Sequence, residues 1–292
     1  MQVSYPLLGA ILLVVLLHTL NDRYPSPLIA IALRWMRWIV GSLVTAKMVT
    51  DLQLMDRPFW VVAVAAFLLW FLFVTLYNWL AIRALSESPL PLFPRFALNQ
   101  SGEEWPTLPR LLRVRDWLRA HGFRQVQALK AEVGASLYLR TSVYQDADAH
   151  TRLQITFLPQ AGGMLSVCYS LSSQTAGGLR YVTDNLYLPF GGFYPENWLV
   201  ERNPLRRSLA GLVARHRTRL ARAGEVVLPW QTDPLSDLNA QQHELDQVNT
   251  ELGFLFPRAV RDEYGKITYE GRFRVWKEIL MLNYFGRSSR YE

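Results

Sequence analysis

The densest group of side chains that could bind a ligand lies between residues 183 and 198. The passage mixes aromatic rings and glycines with four polar residues, Asp184, Asn185, Glu196 and Asn197. A few polar groups among apolar walls are typical of a small-ligand pocket. A long crossover loop would have the same composition, with aromatic rings covering the edge of the core and glycines allowing positive φ angles. We favour the loop and keep the pocket as the alternative.

A second candidate is the segment in which Asp146, Asp148 and His150 alternate along the chain. Carboxylates suit hard cations, and an imidazole could add affinity for a transition metal. Coordination usually needs more ligands than these three, and aspartates are also common in exposed turns. We therefore predict a hairpin loop with weak metal candidates, and neither a resident metal nor a cofactor.

Two side chains have reactive chemistry but no partner that the sequence can identify. His216 lies among leucines in the helix predicted for Leu205–Arg222, which is typical of a core histidine with one hydrogen bond rather than a general base. Cys168 shares a predicted strand face with Ser166 and Ser170, so we expect it to be partly exposed, and nothing nearby marks it as a stabilised thiolate. It is the only cysteine, which excludes an internal disulfide framework and a cysteine-based zinc site.

Arginines crowd the polar side of the helix predicted for Leu205–Arg222. They are Arg206, Arg207, Arg215, Arg217, Arg219 and Arg222. Such a face attracts anionic headgroups. An acidic helix is predicted next, over Asp233–Leu252, so we expect pairing within the chain to neutralise much of this charge. Aromatic residues do not interleave with the arginines, and we predict no binding to nucleic acid.

The commonest catalytic signatures are absent from the sequence. It contains no Gly-x-Gly-x-x-Gly, P-loop, Gly-x-Ser-x-Gly, His-Glu-x-x-His or Cys-x-x-Cys motif. These absences favour a binding protein over the familiar classes of nucleotide, hydrolase and zinc enzyme.

Residues 105–292 have the pattern of a mixed α+β domain. A helix is predicted from Thr107 to Ala120. Apolar residues then alternate with polar ones in Ser136–Tyr144, Arg152–Leu158 and Met164–Leu171, with hairpin turns at Gly162-Gly163 and Gly177-Gly178. Further helices are predicted at 205–222, at 233–252 with Asp233 as the N-cap, and at 268–285 with Gly286 as the stop. The period of two predicts an antiparallel β-meander with one buried face packed against α-helices.

Residues 1–85 are predicted to be a transmembrane region of two or three helices. Val3–Leu20 and Phe59–Ile82 are apolar enough to span a bilayer. Leu28–Ala46 contains Arg34 and Arg37, so it either spans or lies in the interface as an amphipathic helix. Residues 86–104 form a linker stiffened by Pro89, Pro91 and Pro94.

Charge placement predicts that the C-terminal domain is cytoplasmic. Whether two or three helices span, basic residues accumulate on the side from which the domain leaves the membrane. The formal net charge is +7, and arginine far outnumbers lysine, which indicates a GC-rich genome. We therefore predict a bacterial inner (cytoplasmic) membrane protein.

These observations predict a membrane-anchored, non-enzymatic interaction protein. Its cytoplasmic domain would bind a protein partner or the surface of the lipid bilayer. The alternative is a membrane-bound enzyme or small-ligand sensor that uses the 183–198 loop. A third option is a subunit of a membrane-protein complex or homo-oligomer, in which Arg34 and Arg37 face partner helices.

Overall fold

Three long apolar helices begin the chain: α1 (Tyr5–Arg23), α2 (Pro27–Asp51) and α3 (Phe59–Glu87). The computed structural model describes residues 5–23, 26–100, 105–134, 137–159 and 165–289. All three helices are long and apolar enough to cross a membrane. The 25 residues of α2 rise about 37 Å, which exceeds the roughly 30 Å of a bilayer's hydrocarbon core. The ambiguous segment therefore has spanning length.

The last part of the chain packs against α2. Helix α8 (Tyr269–Leu280) continues into a π-helical turn (Met281–Phe285) that ends at Gly286, whose φ is +65°. Arg34 Nη1 donates to the Asn283 carbonyl over 3.1 Å, and Trp35 Nε1 donates to the Tyr284 carbonyl over 2.9 Å. The predicted stop at Gly286 is confirmed. Arg34 already has a partner within its own chain.

The chain divides into two compact units. One contains residues up to Leu85 together with those from Arg272 onward, and the other runs from Ser86 to Gly271. The division predicted from the sequence placed 272–292 in the soluble domain, whereas these residues group with the apolar helices. Composition alone shows that residues 268–285 are apolar and does not show which surface covers them.

The 86–271 unit is built on an eight-stranded sheet with the order β1 to β7, and β8 pairs with β5. The strands are β1 (Phe96–Leu98), β2 (Arg124–Gly134), β3 (Leu137–Gln145), β4 (Arg152–Pro159), β5 (Leu165–Thr175), β6 (Arg180–Asp184), β7 (Trp198–Arg202) and β8 (Val227–Leu228). Neighbours are antiparallel except β6 and β7, which run parallel. The α+β class with an antiparallel-dominated sheet is confirmed.

Helices cover one face of this sheet. Helix α4 (Pro109–Ala120) and helix α5 (Leu209–Ala223) share an apolar core with the strands. Leu111 and Leu118 from α4 meet Leu212 from α5 and Leu153 from β4 in this core. The Ser208 side chain caps α5 by accepting from the Gly211 N–H over 3.2 Å. Both helices thus leave their opposite sides to solvent.

The other face is covered as well, which the predicted meander with one buried face did not include. Helix α6 (Pro234–Glu251) packs Leu238 against Leu129 and Val143. Asp233 caps this helix by accepting from the Ser236 N–H over 3.1 Å, as predicted. The alternation of apolar and polar residues had suggested that only one face is buried. Polar residues of the second face are in fact buried beneath α6, where they form hydrogen bonds and ion pairs.

The chain between α6 and α8 is short and irregular. A 3₁₀ turn (Arg258–Val260) leads into the single-turn helix α7 (Arg261–Tyr264). Among the turns, Gly177-Gly178 is confirmed: Gly178 has a φ of +80° and donates to the Thr175 carbonyl over 3.0 Å. The turn predicted at Gly162-Gly163 lies outside the described residues.

Candidate functional site

The four polar residues of the 183–198 passage lie at two separate places. Asp184 ends β6 and Asn197 precedes β7, and these parallel strands pair Arg180 with Trp198. Asp184 and Asn185 are therefore at one end of the pair, with Glu196 and Asn197 at the other. At about 3.3 Å per residue the two ends are roughly 15 Å apart. No single small pocket brings the four together.

Asp184 and Asn185 hold the backbone. Asn185 Oδ1 accepts from the Tyr169 N–H over 2.8 Å, and its Nδ2 donates to the Arg206 carbonyl over 3.0 Å. Asp184 accepts from the Leu186 N–H over 3.1 Å. Burial raises the pKa of Asp184, although the nearby Arg202 charge opposes this shift. Both side chains are thus buried and occupied by hydrogen bonds to the protein's own backbone.

The rest of the passage is fastened to α6. Asn249 Oδ1 accepts from the Phe193 N–H over 2.7 Å, and its Nδ2 donates to the Phe193 carbonyl over 2.9 Å. A Cβ atom at Gly192 would overlap Asn249 Oδ1. Glycine is needed at this position because the backbone approaches Asn249 closely. The positive φ angle that we expected for the glycines of this passage is not found at Gly192. Glu196 and Asn197 are exposed.

His216 is fully buried and bonded through both ring nitrogens. Nε2 lies 3.1 Å from Ser173 Oγ, and Nδ1 lies 2.9 Å from Thr183 Oγ1. Burial, followed by the charges of Arg219 and Arg217, lowers the pKa of His216 to about 3. The ring is therefore neutral at physiological pH and out of reach of a substrate. The predicted core histidine is confirmed, with two partners instead of one.

Cys168 is buried on the face that α6 covers. Burial raises the pKa of its thiol, and the neighbouring Asp184 acts in the same direction. A thiol held in this way is a poor nucleophile. Its expected partial exposure is wrong, because the second sheet face is covered.

The Asp146–His150 segment is a tight turn between β3 and β4. Asp146 Oδ1 accepts from the Thr151 N–H over 3.0 Å, and Ala149 has a φ of +55°. Asp148 is exposed. Within the described ranges no group of three His, Cys, Asp or Glu residues could hold a metal ion. The hairpin loop is confirmed.

A buried charge cluster, missed in the sequence, joins the sheet to α6. Asp237 lies 2.7 Å from Arg152 Nη1 and 2.5 Å from Arg180 Nη2. The Arg152 guanidinium stacks 4.2 Å from the ring centroid of Trp230. Removing Asp237 would leave two buried arginines without this carboxylate, so the cluster fixes how α6 docks. The two arginines come from different strands, and sequence spacing gives no signal that they meet.

Two of the six arginines of the predicted basic helix are neutralised inside the chain. Arg215 Nε lies 2.8 Å and Arg219 Nε 3.1 Å from the carboxylate of Glu201 on β7. Partial burial alone would raise the pKa of Glu201, but hydrogen bonds from Arg215 and Asn203 hold it below its usual value. We predicted that these arginines pair with the acidic helix. For Arg215 and Arg219 this prediction is wrong, because that helix, α6, packs on the other sheet face.

The remaining four arginines are exposed, as are three arginines of α4, which packs on the same sheet face as α5. Together these exposed side chains make up the α4–α5 arginine face: Arg110, Arg113, Arg119, Arg206, Arg207, Arg217 and Arg222. Partial burial, followed by the charge of Arg110, lowers the pKa of Arg207, so Arg110 in the first turn of α4 lies near Arg207, just before α5. Within the described part of the chain none of the seven is in an ion pair.

Comparisons with protein-family models, with curated proteins and with solved structures find no match to this chain.

Proposed function

We propose that this chain is a membrane-anchored, non-enzymatic interaction protein whose α4–α5 arginine face binds the anionic surface of the bilayer. The observation that carries the proposal is the set of seven exposed arginines with no carboxylate partner among the residues that the structure describes. Arginines near a membrane surface contribute about 1 kcal/mol each to binding anionic lipid. Tethering to a membrane helix raises the effective concentration of such a face, so weak contacts suffice.

A non-enzymatic role is supported by the state of the reactive groups. His216 and Cys168 are buried, and Asp184 and Asn185 are bonded to the backbone. An enzyme or ligand sensor that uses the 183–198 loop has less support, since its four polar residues are divided between two ends of a strand pair.

The sidedness of the domain belongs to the same proposal. If all three helices span, Arg23, Arg34, Arg37 and Arg83 lie toward one side, and Lys47 and Arg57 toward the other. The positive-inside rule then places the 86–271 unit in the cytoplasm of a bacterium. Anionic lipids give a membrane surface a negative potential, which is the field that an arginine face would meet.

Vesicle flotation tests this function. The full chain is held in nanodiscs of neutral lipid and is mixed with separate vesicles. We expect vesicles containing phosphatidylglycerol to bind and vesicles of pure phosphatidylcholine not to bind. The double variant Arg217→Gln/Arg222→Gln should lose about 2 kcal/mol, or roughly thirtyfold in affinity. Neither side chain makes a hydrogen bond or ion pair in the described ranges, so folding should be unaffected.

The matched control is Arg217→Lys/Arg222→Lys, which keeps both charges and should retain binding. Equal binding by the glutamine and unaltered chains, or no preference for the anionic vesicles, would rule the surface out.

A further inference from the structure

The 86–271 unit contains a cavity of about 400 Å³ whose walls come from three separate segments. They are residues 91–95, the middle of α6 and the chain from 255 to 266. Asn239 fastens the first wall to α6, accepting from the Phe96 N–H over 2.8 Å and donating to its carbonyl over 3.0 Å. Lys266 Nζ fastens it to the third by donating to the carbonyls of Leu90, over 2.7 Å, and Ser88. The cavity is therefore held open by bonded walls.

Positive charge dominates the lining. Arg95, Arg258, Arg261 and Lys266 face a single carboxylate, Asp246, so four cations and one anion leave a formal charge of +3. The carboxylate is already occupied: Asp246 lies 2.6 Å from Arg258 Nη2 and 3.0 Å from Arg261 Nη1. Asp246 therefore has no capacity left to neutralise the other two cations, Arg95 and Lys266.

Two of the lining side chains are available to a ligand. Arg95 and His243 are exposed, and neither takes part in a hydrogen bond or ion pair within the described residues. The Arg258 side chain is 66% exposed, so the part of its guanidinium that does not contact Asp246 can reach solvent. Leu92, Phe93 and Leu255 supply apolar wall beside them.

The remaining cation shows the effect of this crowding. Burial, followed by the charge of Arg261, lowers the pKa of Lys266. A bound anion would offset both effects.

We propose that this cavity binds a phosphate-bearing ligand through Arg95 and Arg258. A phosphate monoester carries −1.5 to −2 charges near pH 7, which suits a +3 site better than a single carboxylate does. Guanidinium groups bind phosphate through paired, charge-assisted hydrogen bonds. The volume lies within the range of small-molecule sites.

The phosphate could belong to a lipid headgroup or to a soluble compound, and two probes separate these sources. Pyrophosphate represents the soluble class, and phosphatidic acid in nanodiscs of otherwise neutral lipid represents the headgroup class. Binding to the full-length protein is measured by calorimetry for the first and by a fluorescence titration for the second. Tighter binding of one probe identifies the source.

The test variant is Arg95→Gln/Arg258→Gln, which neutralises the two accessible guanidiniums and leaves Asp246 paired with Arg261. We expect saturable binding of at least one probe, weakened about tenfold or more for each guanidinium removed. Arg124→Gln, at an exposed arginine outside the cavity, should bind like the unaltered chain. Arg217→Gln/Arg222→Gln should bind pyrophosphate normally, and phosphatidic acid is titrated with this variant as the background, which keeps this result separate from the test of the α4–α5 arginine face.

Failure of both probes to bind the unaltered protein overturns the proposal. So does binding that is equally strong in the Arg95→Gln/Arg258→Gln variant, because the charge would then come from another part of the molecule.

Discussion

At the scale of single residues, the buried side chains of His216 and Asn185 have internal hydrogen-bond partners and are not free for a substrate. His216 is the plainest case, since both of its nitrogens meet hydroxyl groups of the sheet. The pattern of its helix predicted burial, because leucines share its stripe. The identity of the partners could not be predicted, since Ser173 and Thr183 come from strands 43 and 33 residues away in sequence, respectively.

The neutral state of His216 predicts a pH dependence of stability. Its folded pKa of about 3 lies below the ordinary 6.5, so between these values the unfolded chain binds a proton that the folded chain does not. Stability contributed by this group is therefore complete above pH 6.5 and falls as the pH drops toward 3. The slope should be about 1.4 kcal/mol per pH unit.

Thermal unfolding in detergent, compared with His216→Gln at each pH, isolates this contribution. The variant should be less stable near neutral pH and should lose less stability on acidification. Parallel pH profiles for the two proteins would show that His216 does not control the acid response.

At the scale of elements, α6 covers the second sheet face and is held there by polar contacts. Its two asparagines make the same double hydrogen bond to backbone, Asn239 with Phe96 and Asn249 with Phe193. Two residues before Asn239, Asp237 joins Arg152 to Arg180. The composition of the helix predicted its acidity and its Asp233 cap. Its docking depends on contacts across roughly 60 to 140 residues of chain, which sequence periodicity does not report.

Removing one of these polar contacts should lower the free energy of unfolding measurably. Asn249→Ala would remove the hydrogen bonds that this side chain makes to the N–H and carbonyl of Phe193, so we expect a loss of about 2–4 kcal/mol. Asn197→Ala is the matched control, because that exposed side chain makes only a 3.4 Å bond to the Gly178 carbonyl. The control should change stability by less than about 0.5 kcal/mol.

Denaturant unfolding of the full chain, followed by tryptophan fluorescence, compares the two variants. Similar midpoints for both would mean that the 183–198 loop is held by its aromatic contacts and that Asn249 is dispensable.

At the scale of the whole molecule, the domain boundaries were the hardest feature to predict. The apolar helices were evident from residues 3–20 and 59–82, and the antiparallel sheet from its alternation. The C-terminal residues were assigned to the soluble domain, yet their π-helical turn is bonded to Arg34 and Trp35 of α2. A run such as Met281–Phe285 is equally apolar in a soluble core and beside a membrane helix.

The central claim is that the α4–α5 arginine face meets the bilayer surface when that surface is anionic. Because Cys168 is buried, a single fluorophore can be placed on Ala221→Cys, an exposed position of α5, and on Ala147→Cys in the β3–β4 turn as the control. The full chain is reconstituted in nanodiscs that contain lipid with a spin-labelled headgroup, which quenches a nearby fluorophore. We predict stronger quenching at residue 221 in anionic than in neutral nanodiscs, abolished by Arg217→Gln/Arg222→Gln, with no change at residue 147. Equal quenching at residue 221 in both lipids would contradict the account.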